Sequence, residues 1–136
     1  MLRSISTCTL SLFVAIALIP AVSLEAENSF TVPDQTMPFG STDNLIPVHM
    51  NCDLDVHSFS ISLEFDPSKF LVREVELGSD VTALDPAWAD GTIDNTIGEI
   101  KFGVLFGDSP ETIDKKIPSG TGYEILRVVV DVVVSS

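Results

Sequence analysis

Several groups of residues in this chain have side chains able to do chemistry. His49, Cys52 and His57 are three zinc-ligand types within nine positions, but their spacing matches no standard zinc pattern. Asp53, Asp55 and Glu64 fall at the first, third and twelfth positions of a calcium loop of the helix-loop-helix kind. The sixth position should be glycine and is Ser58, and the segment reads as strand, so that match is coincidental. Asp80, Asp85, Asp90 and Asp94 share one turn-rich stretch and could hold a structural calcium. We favour a solvated acidic loop there and expect no cofactor. Glu64 and Glu99 are candidates for a glycosidase carboxylate pair, but both read as outward positions on an open sheet, where nothing would raise the pKa of an acid. Trp88, beside Asp85 and Asp90, is the one spot where a sugar ring would stack; we read it instead as a loop residue plugging one end of the fold. No Gly-x-Ser-x-Gly elbow, His-Glu-x-x-His pair or phosphate-cradling glycine loop occurs, and Ser119-Gly120-Thr121-Gly122 reads as a hairpin-type turn. The chain is not expected to be an enzyme.

What must position these residues follows from size and charge. With 136 residues the chain has material for one domain. Twenty acidic residues against 7 basic ones give a formal net charge of -13, which leaves no basic face for nucleic acid or for anionic membrane surfaces. Aromatic residues make up 7 %, with one Trp and one Tyr, too few to line a cofactor pocket.

Arg3, the apolar stretch Leu10 to Ala21 and the small residues Ala21-Val22-Ser23 form the pattern of a secretory signal peptide, which we place at residues 1–26. Its removal takes away Cys8 and leaves Cys52 alone, so an intramolecular disulfide is excluded and residues 27–136 must be held by core packing. A secreted or cell-surface acidic domain with no membrane insertion after cleavage is expected.

The remainder reads as strands. Val56 to Asp66 puts Phe59, Ile61, Leu63 and Phe65 on one face and Ser58, Ser60, Ser62 and Glu64 on the other. Ile97 to Phe106 repeats the alternation, with Ile100, Phe102, Val104 and Phe106 inward and Glu99, Lys101, Gly103 and Leu105 outward. Phe70 to Leu77 is a third strand, and Tyr123 to Val134 a fourth whose valine run predicts burial on both sides. Phe30 to Val32 and Leu45 to Met50 are weaker strands, and Pro47 predicts an edge position for the second. Pro38 to Asn44, Gly78 to Asn95 and Gly107 to Gly122 read as loops, with a short helical turn near Ala83 to Ala89. The fold class predicted is an all-β antiparallel sandwich.

Ile46-Pro47-Val48, the alternating strand ending in Phe65-Asp66-Pro67-Ser68, and the strand through Phe70, Val72, Val75 and Gly78 resemble a cohesin domain over about residues 29 to 136. The resemblance implies a jelly-roll sandwich of about nine strands that recruits a dockerin-type partner in an extracellular polysaccharide-degrading or cell-surface assembly. It also implies a partner-binding face at Ser58, Ser60, Ser62 and Glu64, extended to Lys101, Gly103 and Leu105. The family continues for another strand beyond Tyr123 to Val134, so the resemblance implies either that this chain is a fragment lacking its last strand, the reading we favour, or that the fold closes with fewer strands. The alternatives are a carbohydrate-binding module that contacts polysaccharide directly, through Trp88, and a passive structural domain of a larger surface protein. The absence of an aromatic row on the outward faces weighs against the sugar reading.

Overall fold

A computed structural model describes residues 28–133, together with the backbone of two short strands, β1 (Thr7–Thr9) and β2 (Phe13–Ala15). The rest of the segment predicted as a leader lies outside the described residues, as does the end of the last predicted strand. The chain continues through β3 (Ser29–Thr31), β4 (Thr36–Pro38), β5 (Asn44–Cys52), β6 (Ser58–Glu64), β7 (Phe70–Leu77), α1 (Ser79–Thr82), β8 (Trp88–Asp94), β9 (Glu99–Leu105) and β10 (Gly120–Val132). These strands form two four-stranded sheets, ordered β3-β5-β10-β7 and β2-β6-β9-β8, and a small β1-β4 ladder. Every pairing between strands is antiparallel. The molecule is therefore an all-β, sandwich-like fold, as the alternation predicts.

The alternation builds the core. Phe59, Ile61 and Leu63 of β6 and Ile100 and Val104 of β9 are buried, as are Ile46, Val48, Met50 and Cys52 of β5 and Val128, Val130 and Val132 of β10. Phe59 sits between Phe30 and Phe106, with ring centroids 6.1 Å apart on each side and tilted planes, a favourable aromatic geometry. The valine run predicts burial of β10 on both sides, and this holds only in part: outward-facing Val129 is 7 % exposed, but Arg127 and Asp131 on the same face are half-buried.

The structure departs from the sequence pattern at four places. β5 is not an edge strand, because it lies between β3 and β10. β3, however, covers only His49 to Asn51, so among the described residues no strand flanks Pro47 on that side, and its missing donor need not break a ladder. Gly78 to Asn95 is not one acidic loop; it contains α1 and the seven-residue strand β8. The helical turn falls at Ser79–Thr82, ahead of the predicted Ala83 to Ala89. Ser119 to Gly122 is not a hairpin turn, since β10 begins at Gly120 and pairs with Cys52 through a register shift before Tyr123.

Side chains tie the connections down. In the turn after β6, the Asp66 carboxylate accepts the Ser68 hydroxyl at 2.6 Å and the Ser68 N–H at 2.9 Å. Between β8 and β9, Asp94 accepts the N–H groups of Thr96 and Ile97, and Gly98 closes the turn at φ +77°, a conformation that glycine adopts without strain. Asn95 in that turn reaches the other sheet: its Oδ1 accepts the Val72 N–H at 2.8 Å and its Nδ2 donates to the Val72 carbonyl at 2.9 Å. Asp131 of β10 accepts the Asp43 N–H at 2.9 Å and pairs with Arg73 Nε at 2.7 Å.

Asn95→Ala leaves both backbone groups of buried Val72 without their partner, and should cost about 1–3 kcal/mol in urea unfolding. Asn95→Asp, which retains only the acceptor, should fall between the two. A second expected outcome concerns acid. The Asp43 N–H, with Arg73 beside it, holds the Asp131 carboxyl below its ordinary value. Its contribution is therefore complete above the unfolded-state pKa of about 3.9 and is lost as pH falls through the depressed folded value. Asp131→Asn should lower Tm at neutral pH and make Tm fall less steeply than wild type between about pH 5 and pH 2.

Candidate functional site

The outward face of the β6-β9-β8 part of the second sheet gathers most of the residues singled out from the sequence. The pairings place Ser58 opposite Leu105, Ser60 opposite Gly103, Ser62 opposite Lys101 and Glu64 opposite Glu99. On the other side of β9, Trp88 stands opposite Leu105, Asp90 opposite Gly103, Thr92 opposite Lys101 and Asp94 opposite Glu99. Three strands thus present Ser58, Ser60, Ser62 and Glu64, then Lys101 and Leu105, then Trp88, Asp90 and Thr92 on one surface.

Trp88 is not in a loop and does not plug an end of the sandwich. It opens β8, is 52 % exposed, and leans diagonally across β9 so that the six-membered part of its ring lies over Gly103. A Cβ at position 103 would meet Trp88 Cζ3 at 2.9 Å. Gly103, expected as an exposed contact residue, is buried beneath the indole instead. The alternating pattern marks position 103 as outward; only the neighbouring strand β8, which that pattern does not reveal, covers it. Leu105 is 37 % exposed beside the ring.

Next to the indole lies a shallow hollow of about 450 Å³, lined by Trp88 and the polar side chains of Ser60, Ser62, Asp90, Thr92 and Lys101. Ile61, Gly91, Phe102 and Gly103 complete the lining, so the hollow is largely apolar and carries a few hydroxyls, one carboxylate and one ammonium group. Such a surface offers an exposed aromatic ring with hydrogen-bonding groups beside it, which suits ligands that have both apolar faces and hydroxyl edges. Lys101 Nζ is 3.3 Å from Glu99 and so is already ion-paired on an exposed face, where the pair contributes little to stability. Glu64 and Glu99 do stand side by side, directly across the β6-β9 ladder, but on the open surface rather than in a cleft.

The remaining candidates are dispersed. His49 lies on the outward face of β5, Cys52 is buried on its inward face, and His57 is exposed ahead of β6. Burial is the main cause that pushes the Cys52 thiol above its ordinary pKa, and its Sγ lies 3.5 Å from the Pro118 carbonyl. Asp55 pairs with Lys116 at 2.8 Å and accepts the Ser119 N–H, and the lysine holds its carboxyl below the ordinary range. Of the four aspartates considered for calcium, Asp80 accepts the Glu124 N–H, Asp90 accepts that of Gly91, and Asp94 caps the turn at Thr96. Among the described residues no group of three or more His, Cys, Asp or Glu converges on one point. No described helix is long and apolar enough to cross a membrane.

No protein-family model matches this chain, and neither a curated protein nor a solved structure matches it. The cohesin resemblance rests on the motif residues alone.

Trp88 is the one tryptophan of the chain, so its fluorescence reports this site directly. Gly103→Ala should lift the indole from the sheet, seen as a red-shifted emission and stronger quenching by acrylamide. Emission and quenching identical to wild type would show that the ring does not rest on position 103.

Proposed function

We propose that this domain is a secreted, non-catalytic binding module that holds polysaccharide on the outward face of β6, β9 and β8. One observation carries this reading: a half-exposed indole that rests against Gly103 on the sheet face, bordered by the hydroxyls of Ser60, Ser62 and Thr92. Sugar rings present C–H faces that stack on an aromatic plate, while their hydroxyls exchange hydrogen bonds with the polar rim. A neutral polymer is also a ligand that the formal charge of -13 does not repel. The objection drawn from the missing aromatic row loses weight, because the indole stands on the face itself.

Recruitment of a dockerin-type partner protein is the second reading, and Leu105 is what favours it. An exposed leucine beside an exposed tryptophan, surrounded by small polar residues, has the make-up of a protein-protein hot spot inside a polar rim.

Retention on insoluble polysaccharides separates the two. Trp88→Ala should reduce retention at least about tenfold, the loss of one stacking contact worth about 1.4 kcal/mol. Retention equal to wild type on every polysaccharide that the parent binds would exclude the sugar reading. Ser60→Arg with Leu105→Arg should abolish capture of a partner protein; unchanged capture by that folded double variant would exclude the face as a protein-docking surface.

A further inference from the structure

The first sheet ends at β3 and β7; the second ends at β8 and, on the other side, at the three-residue β2 laid over β6, and the edges at β3, β7 and β8 are defended. β3 is only three residues long. β7 has the N–H and carbonyl of Val72 occupied by the Asn95 side chain, and carries a register irregularity near the charged residues Arg73 and Glu74. β8 has its Gly91 N–H taken by the Asp90 carboxylate, with a second aspartate at position 94.

β6 differs from all of these. The Phe65 N–H bonds the Gly98 carbonyl at 2.9 Å, and the Phe106 N–H bonds the His57 carbonyl at 3.1 Å. The β6-β9 register runs between those two points without a shift, so the odd-numbered residues of β6 direct their backbone groups at β9. Ser58, Ser60, Ser62 and Glu64 therefore turn their N–H and C=O groups outward, to the edge. That edge accepts a strand: Phe13–Ala15 lies on it antiparallel, with Ala15 opposite Ser62 and Phe13 opposite Glu64. Ser58 to Leu63 contains no charged residue, proline or bulge, the usual devices against edge-to-edge pairing.

We infer that once residues 1–26 are removed, as their signal pattern predicts, the vacated edge of β6 pairs with β6 of a second copy about a two-fold axis through Ile61. In that register Ser60 faces Ser62 of the other copy, Phe59 faces Leu63 and Ser58 faces Glu64, so apolar meets apolar on the inward side and no like charges oppose. The outward groups of the four even-numbered residues on each copy form about eight ladder hydrogen bonds, and the same patch serves both partners, as a two-fold contact requires. The charge of -13 does not lie along this contact: Glu64, at its end, is its one ionised group.

The axis stands perpendicular to the sheet, so both copies turn the same face to the same side. The joined sheet runs β8-β9-β6-β6-β9-β8, and its two Trp88 positions lie on one surface, five strand spacings (about 24 Å) apart across the sheet and six residues (about 20 Å) apart along it, or about 31 Å in all. Two such sites on one polymer chain bind together more tightly than either alone. That bivalency rests on the sugar reading; the pairing itself does not.

The test is the mass in solution, by light scattering and sedimentation, of the protein exported from cells expressing the full chain. The expected result is twice the monomer mass for the wild type. Ser60→Pro, which removes an outward N–H and leaves the β9 ladder intact, should give the monomer mass with an unchanged circular dichroism spectrum. An exported wild type that stays monomeric up to about 100 times the concentration expected of a micromolar contact would overturn the inference, as would a folded Ser60→Pro protein that remains dimeric. Ser60→Cys with Ser62→Cys supplies a check that does not depend on proline being tolerated. Oxidation should join two copies covalently across the axis, and failure to cross-link would likewise overturn the pairing. A dimer whose polysaccharide retention ignores Trp88→Ala refutes only the sugar reading, and a monomer that needs Trp88 for retention refutes only the dimer.

Discussion

Everything in this molecule depends on the apolar layer between its two sheets. Cys52 is a free, buried thiol, so no covalent link among the described residues joins one sheet to the other. Cohesion comes from side chains such as Phe59, Ile61 and Leu63 on one sheet and Val48, Val128 and Val130 on the other, all withdrawn from water. The acidic surface works against compaction through self-repulsion, and apolar burial has to exceed it. The Asn95 side chain adds a polar link across the layer, placed where β7 would otherwise leave backbone groups of a buried residue without partners.

Much of the sandwich can be read from the chain because alternation and burial are the same fact seen twice. The segment Phe70 to Leu77 emerges with its predicted bounds, and β6, β9 and β10 emerge within a few residues of theirs. β8 is invisible for a physical reason. Its sequence, Trp-Ala-Asp-Gly-Thr-Ile-Asp, has two aspartates and a glycine and buries little, so no periodic signal marks it; it is a strand because β9 offers it a complete ladder. The same omission hides the candidate site. The rows of β6 and β9 are legible as outward faces, but the indole that gives them a chemical character arrives from the strand that the pattern conceals. Pro47 misleads in the opposite sense, because an edge rule applied to a whole strand fails where a neighbour covers only part of its length.

The connections show how an acidic chain is used economically. Asp66, Asp90, Asp94 and Asp131 each accept backbone N–H groups close in sequence or across a ladder. Aspartate is suited to this because its short side chain reaches amides that a turn leaves unsatisfied. Several carboxylates that look like ligand candidates in the sequence are therefore already occupied in holding the loops, and the face that remains for recognition is mostly uncharged.

Position 103 has a consequence for how this surface can change over generations. Any side chain larger than hydrogen there displaces the indole, and any replacement of Trp88 by a small residue uncovers a patch of bare ladder backbone. The two positions are therefore inherited as a unit: drift at one without the other removes the plate or exposes its bed. In lineages of this domain, glycine at 103 should accompany an aromatic at 88, and should give way to larger residues only where that aromatic is gone.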